Sequence, residues 1–407
     1  MAKNYAALYA NDNDSTALEQ SFYLKEEVTR GTLIAPLGTD YLYTIAGGGI
    51  EFTQPLESSP HRSGRHNNST IKAKKTLSWT LPLFFNIDTA LGAASSAEID
   101  PAVRLLYKST LGFQDLTAGA VYNASTEPSV TFSIFECGDR WGRQARGCFV
   151  DEAALSFPGD GRSQVEFSGM GSEAVVVGIG KSVTANTGNT VTVAAGEGYR
   201  FPVNGLVMIL KADGVTRSTD TATPRTVLSV AGDVVTLSGA PLVDADGTTT
   251  PVYLSYWEPA TKTGIDNPLT GLIGSVEIAG LTEQCVRSCN ITIANGHELE
   301  DYCFGKDAAH GKIFIPANRM NATVSLELNL NHDLVEFFNS IQQFEAKDIT
   351  LVLGSPTGRR LEILLPNVIF PVPSIPVPET GSIPITFEGV AYQTVLDAAD
   401  EITLSFI

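Results

Sequence analysis

The sequence predicts a mainly β protein of the α+β class: two tandem β-sandwich or barrel units, each with one helix, plus a small inserted all-β module. Three observations carry this. The 407 residues include 37 glycines and 21 prolines but only 18% charged residues, a balance that favours short strands and many turns over a helical protein. Apolar residues alternate at period two through most of the chain. The same order of elements is written twice.

The second writing, Asp348 to Ala391, repeats Ser129 to Ala174. Each copy opens with an alternating run, Val130/Phe132/Ile134 or Ile349/Leu351/Leu353, and breaks at a Gly-Arg pair, Gly142-Arg143 or Gly358-Arg359. Each then resumes as strand and ends in Val165-Glu166-Phe167-Ser168-Gly169 or Ile385-Thr386-Phe387-Glu388-Gly389. Upstream, Asp100 with Pro101, and Asn331 in the second copy, read as helix starts. Val103/Leu106/Tyr107 and Leu334/Phe337/Phe338/Ile341 follow at helical spacing. Before each helix runs a period-two strand, Leu77/Trp79/Leu81/Leu83 and Val324/Leu326/Leu328/Leu330. The predicted layout is an N-terminal arm over 1–40, unit 1 over 41–178, an insertion over 179–250, a linker over 258–272 and unit 2 over 273–407. Val252-Tyr253-Leu254-Ser255-Tyr256-Trp257 matches the C-terminal Ile402 to Ile407, so 251–257 is expected to close unit 1 after the insertion.

With 43% apolar residues and 8% aromatic ones, both units can fill a core. No run of about 18 apolar residues exists, so no membrane-spanning helix is expected, and the first twenty residues lack the regions of a signal peptide. Cytosolic synthesis is the expectation. A net charge of −18 argues against a surface that grips phosphates; solubility is the simpler explanation of it, and a surface that lets nucleic acid slide past is the more specific one. Five cysteines do not make a disulfide framework. Cys137 and Cys148 flank the Gly142 turn and read as two buried thiols or a cross-hairpin pair. Cys285, Cys289 and Cys303, with His297 and His310, have no tight zinc spacing.

Residues 1–40 read as an arm that does not bury itself, and Phe22, Tyr23, Leu33 and Ile34 suggest packing on another subunit. The Thr53–Thr70 connection, with Glu57, His61, Arg62, Arg65 and His66, exceeds the roughly 12 to 15 residues usual in compact domains. Asn295–Gly311 repeats it in the second copy, and both loops read as external contacts or plain surface. Strand runs near Thr190, Leu206, Thr226 and Val234, punctuated by glycines, make the insertion. Chemistry-bearing motifs are weak. Gly169-Met170-Gly171 leads into a β pattern, not the helix that holds a pyrophosphate, so no enzyme, no cofactor and no metal is expected.

The arm ending Gly31-Thr32-Leu33-Ile34-Ala35-Pro36, the polar connecting loop, the alternating strand pair, the single helix and the returning hairpin resemble the tail tube, or major tail, proteins of long-tailed bacteriophages. The likeness covers roughly residues 15–178 and 251–407. It implies subunits that close into rings, here three duplicated chains in a pseudo-hexamer, stacking into the virion tube that conducts genomic DNA during ejection. It also implies an inter-ring loop at Glu57, His61, Arg62, Arg65 and His66, an inter-subunit arm carrying Phe22, Tyr23, Leu33 and Ile34, and an insertion on the tube exterior. Implied partners are further copies of the chain, a tape measure, a tail terminator and a distal tail protein, with no membrane. The second copy lacks a comparable arm, for which 258–272 is the substitute.

Four strands per unit, two units per chain and three chains give about 24 strands; at about 4.8 Å spacing and about 40° tilt the barrel is roughly 45 to 50 Å across, wide enough for a duplex. Strand alternation puts Ser78, Thr80, Ser325, Glu327 and Asn329 opposite the core, on the prospective lumen wall. The rivals are a surface β-sandwich adhesin or carbohydrate binder, and another tube-fold virion protein such as a tail-tip hub or head-tail joining protein.

Overall fold

The computed structural model describes residues 3–10, 20–58, 70–87, 99–116, 120–125, 130–182, 188–218, 223–242, 252–259, 261–264, 266–272, 274–279, 281, 286–299, 313–314, 320–329, 334–354, 360–375 and 380–406. The chain is mainly β, with large antiparallel sheets. Unit 1 holds α1 (Tyr5–Ala10), β1 (Ser21–Glu26), β2 (Tyr41–Leu42), β3 (Gly49–Thr53), β4 (Leu56–Ser58), β5 (Thr70–Lys72) and β6 (Thr76–Phe84). It continues with α2 (Pro101–Leu111), β7 (Gly112–Asp115), β8 (Ala120–Ala124), β9 (Phe132–Cys137), β10 (Gly142–Pro158), β11 (Gln164–Gly171) and β12 (Glu173–Val177). The insertion holds β13 (Ile179–Lys181), β14 (Thr190–Thr192), β15 (Leu206–Leu210), β16 (Arg225–Ala231), β17 (Val234–Leu237) and β18 (Tyr253–Tyr256). Unit 2 holds β19 (Gly274–Ile278), β20 (Val286–Ala294), β21 (Glu298–Leu299), β22 (Ile313–Phe314), β23 (Asn321–Asn329), α3 (Leu334–Gln342), β24 (Lys347–Gly354), β25 (Arg360–Ile369), β26 (Pro384–Ala391) and β27 (Thr403–Phe406).

Ladder by ladder the units correspond. In unit 1, β1, β9, β10 and β12 pair in that order; in unit 2, β19, β24, β25 and β27 do the same. Facing these, β3, β6 and β11 match β20, β23 and β26. The registers agree residue for residue. Trp79 lies opposite Gly169 and Leu81 opposite Phe167, as Val324 lies opposite Gly389 and Leu326 opposite Phe387. The shared glycine has a steric cause: a Cβ on Gly169 would come within 2.0 Å of the Phe149 carbonyl oxygen, and one on Gly389 within 2.6 Å of Phe370 and Val368.

The alternation read from sequence holds. Leu77, Trp79, Leu81 and Leu83 are buried in β6, as are Val324, Leu326 and Leu328 in β23. Each sheet pair closes over one helix, burying Leu105, Leu106, Tyr107 and Leu111 of α2, and Leu334, Phe337 and Ile341 of α3. Pro101 occupies the first turn as expected, but Asp100 makes no side-chain capping bond. Asn331 lies outside the described residues.

Several expectations are corrected. The arm is part of unit 1: β1 pairs with β9 along its whole length, and Phe22 and Tyr23 are 2% and 0% exposed within this one chain. Its equivalent in unit 2 is β19, not the 258–272 segment. Unit 1 is closed by β12, before the insertion, because β12 takes on β10 the place that β27 takes on β25. The 251–257 segment supplies β18, which pairs with β13 and β15 inside the insertion's six-stranded sheet. The equivalence of Gly142-Arg143 with Gly358-Arg359 shifts too: aligned at the bulge they share, the β9–β10 and β24–β25 ladders set Glu362, not Gly358, in the place of Gly142.

The insertion is packed on unit 1 and not merely tethered to it. Its apolar core, with Met208, Leu254 and Tyr256, is continuous with Tyr23, Phe135, Cys137 and Val177. Gln144 bridges the two, donating to the Leu206 carbonyl and accepting from the Leu206 N–H, both at 2.7 Å. Among the described residues no helix is long and apolar enough to cross a membrane.

Candidate assembly interface

Two ladders join the units: β27 of unit 2 pairs with β8 of unit 1, from Thr403 opposite Asn123 to Phe406 opposite Ala120, and β10 of unit 1 pairs with β20 of unit 2. The second half of β10 pairs on one side with β11 and on the other with β20, running from Glu152 opposite Ala294 to Pro158 opposite Ser288. A continuous sheet therefore passes from β3 through β6, β11, β10, β20 and β23 to β26. The junction joins the edge of one unit's sheet to the edge of an equivalent sheet.

The ends of this sheet are the corresponding edges, free of a ladder among the described residues. β3 is the unit 1 equivalent of β20 and is paired with β6 alone. β26 pairs with β23, and with β25 only at Val390 and Ala391. Ile369 opposite Val390 repeats Phe149 opposite Met170. Counted on from there, Val372 to Ile375 take the place of Glu152 to Leu155, the residues that hold β20. Here they form no strand, and Val372 and Ile375 are 54% and 45% exposed. Tyr392, just past the end of β26, is also exposed, and its N–H donates to the Asn367 carbonyl at 2.9 Å. Unpaired strand edges with apolar flanks are templates for another chain.

The face of the sheet opposite the core is polar. Ser78, Thr80, Ser325, Glu327 and Asn329 all lie on it, alternating with buried neighbours. By register it also carries Glu51 opposite Ser78, Glu152 opposite Ser168, and Glu388 opposite Ser325. Arg287 reaches Glu327 at 2.9 Å, so this cation is already matched to a carboxylate.

The remaining sequence-predicted residues fall elsewhere. Glu57 sits on the exposed β4–β5 hairpin; His61, Arg62, Arg65 and His66 lie outside the described residues. Leu33 and Ile34 are half-buried against unit 1, and Ile34 N–H points at Ser133 Oγ, 3.4 Å away. Cys137 lies opposite Gly142 and Cys148 opposite Phe132, too far along the hairpin to bridge, and both thiols are buried and free. Burial raises the pKa of both thiols, and pushes that of Cys289 up to about 12. His297 is buried edge-on to Phe149, and its pKa is lowered chiefly by burial. Cys285, Cys303 and His310 lie outside the described residues.

Sequence reasoning missed three buried carboxylates that tie the N-terminal forty residues to the rest. Glu27 accepts from Gly31 N–H at 2.7 Å, Gly147 N–H at 2.8 Å and Ser133 Oγ at 2.9 Å. Glu258 accepts from Lys3 Nζ and Tyr5 OH, both at 2.8 Å, and from Ser21 Oγ at 3.1 Å. Glu136 accepts from Gln20 Nε2 at 3.4 Å and pairs with Arg143 at 2.9 Å, and its pKa is raised by burial against the opposing pull of Arg143 and the Ile50 N–H. The only signal in sequence was a carboxylate at an otherwise apolar strand position, since buried charges require partners. Compared with known protein families and with curated proteins, the chain matches none.

Proposed function

We propose that the chain is a structural virion protein that polymerises through the two ends of its sheet into rings, which stack as the tail tube of a long-tailed bacteriophage. The observation that carries this reading is the β10–β20 ladder. One molecule already contains the joint that successive molecules need, with its two halves left over at opposite ends. Adding β3 of one copy to the 372–375 edge of the next repeats that joint. The contact is head-to-tail, and such contacts form rings when the rotation closes. Three duplicated chains give six equivalent sheets, and closure removes the free edges.

The polar, acidic face supports a lumen through which DNA slides, because each unpaired cation facing a duplex would add a salt-dependent contact. The expected partners are further copies of the chain and the proteins at the two ends of the tube. The adhesin reading draws less support: Trp79 and Trp257 are buried and Trp141 stacks under Arg143, leaving them unsuited as sugar platforms. The test is negative-stain microscopy and sedimentation velocity of the purified chain at rising concentration. Rings and tubes support the reading, and a monomer at every concentration defeats it.

A further inference from the structure

We infer that Glu136 and Arg143 form a guard that occupies the docking edge of β3 in the free subunit and must swing away when a neighbouring copy adds. This rests on the ring-forming reading above. The two residues lie opposite each other on the β9–β10 hairpin, and their side chains meet the backbone of one residue of β3. Glu136 Oε2 accepts from the Ile50 N–H at 3.3 Å, Arg143 Nη1 donates to the Ile50 carbonyl, and Arg143 Nη2 donates to Glu136 Oε1 at 2.9 Å. An antiparallel residue turns its N–H and C=O to the same side, so both groups of Ile50 face away from β6. They are the hydrogen-bonding groups that a docking strand needs.

The second unit shows what that site becomes once a strand has added. Ile50 is opposite Trp79 as Ile291 is opposite Val324, and Ile291 has Leu155 of β10 as its ladder partner. There the guard is missing: counted from the bulge that both ladders share, the equivalents of Glu136 and Arg143 are Leu351 and Ile363, which pair across β24 and β25. Both are apolar and buried. The charged pair is present where the edge is open and absent where the edge is filled. Charged side chains are one of the ways in which proteins blunt exposed strand edges. Here the blunting is reversible, because Arg143 keeps 28% of its side chain exposed and rests on the Trp141 ring at 4.7 Å.

The test replaces the guard with small or apolar residues, Glu136→Val with Arg143→Ser, in the full chain. The folded variant, checked by circular dichroism, should shorten the light-scattering lag of polymerisation about tenfold, as expected from removing a charge-assisted hydrogen bond to the edge. It should give tubes of wild-type diameter in negative stain. If the double variant does not fold, Glu136→Gln, which keeps the shape and weakens the pairing, should shorten the lag by a smaller factor. An unchanged or longer lag in a folded variant overturns the guard while leaving the ring reading intact. Amorphous precipitate in place of tubes also overturns it, because the pair would then act only against aggregation. If neither wild type nor variant forms rings, the ring reading itself falls; tubes from the variant alone support both.

Discussion

If the seven-stranded path is one sheet, the two units unfold together, and the placement of the tryptophans allows this to be read optically. Trp79, Trp141 and Trp257 all lie in unit 1 or at the end of the insertion, and unit 2 has none. Phe387 of unit 2 is fully buried, with ring centroids of Phe337, Phe338 and Phe370 at 5.3, 5.6 and 6.2 Å. Phe387→Ala removes this ring and leaves a cavity between sheet and helix, a loss of about 3 to 5 kcal/mol. With a urea m-value of about 3 kcal/mol/M, the midpoint drops by roughly 1 to 1.7 M. The drop should appear in tryptophan fluorescence, although the substitution is in the other unit, because the β10–β20 and β8–β27 ladders couple them. Phe167→Ala, the equivalent change in unit 1, should move the same transition by a similar amount. An early circular-dichroism phase with an unmoved fluorescence midpoint would refute the shared sheet.

Other substitutions probe separate joints. Glu258→Ala leaves Lys3, Tyr5 and Ser21 without their common acceptor and should cost about 3 to 5 kcal/mol, opening sites before Ser21 to limited proteolysis, read by mass spectrometry. Phe52→Pro, at an edge position whose N–H faces outward like that of Ile50, should leave a folded monomer but abolish tubes in negative stain. The thiols of Cys137, Cys148 and Cys289 should resist iodoacetamide at pH 9 until urea unfolds the chain, as followed by peptide mapping. Because the Cys289 pKa is raised in the folded state, its contribution to stability is complete below the unfolded thiol pKa near 9 and is lost as pH rises toward about 12. Urea midpoints should therefore fall across that window. Excising the insertion should destabilise unit 1, measured by the same midpoints, because Tyr23, Phe135 and Val177 would lose their cover.

What the sequence disclosed, and what it hid, follows from the range of each interaction. The period-two runs of β6 and β23, and the Phe167/Gly169 and Phe387/Gly389 correspondences, were legible because alternation and backbone clearance act on one strand and its near neighbours. The place of β1 was not: Phe22, Tyr23 and Leu24 are buried in succession, which reads as an apolar tether until the partner β9 is known. The match of Val252–Trp257 to the C-terminus failed because a strand pattern states which face is buried and not which edge is joined. For the same reason the β10–β20 joint and the Glu136–Arg143 pair gave no local sign. Both depend on strands far apart in the chain.

The most direct measurement of the central claim is a disulfide across the expected joint between copies. Counted from Ile369, Ser374 takes the place of Ala154, and Glu51 takes that of Thr292, its ladder partner. Residues opposite each other between hydrogen-bonded pairs have Cα atoms about 4.5 Å apart, within disulfide range. The Glu51→Cys/Ser374→Cys variant, oxidised at polymerising concentration and run without reductant, should give a covalent ladder ending in a closed trimer. Monomer alone, in a sample that does assemble, would contradict the account.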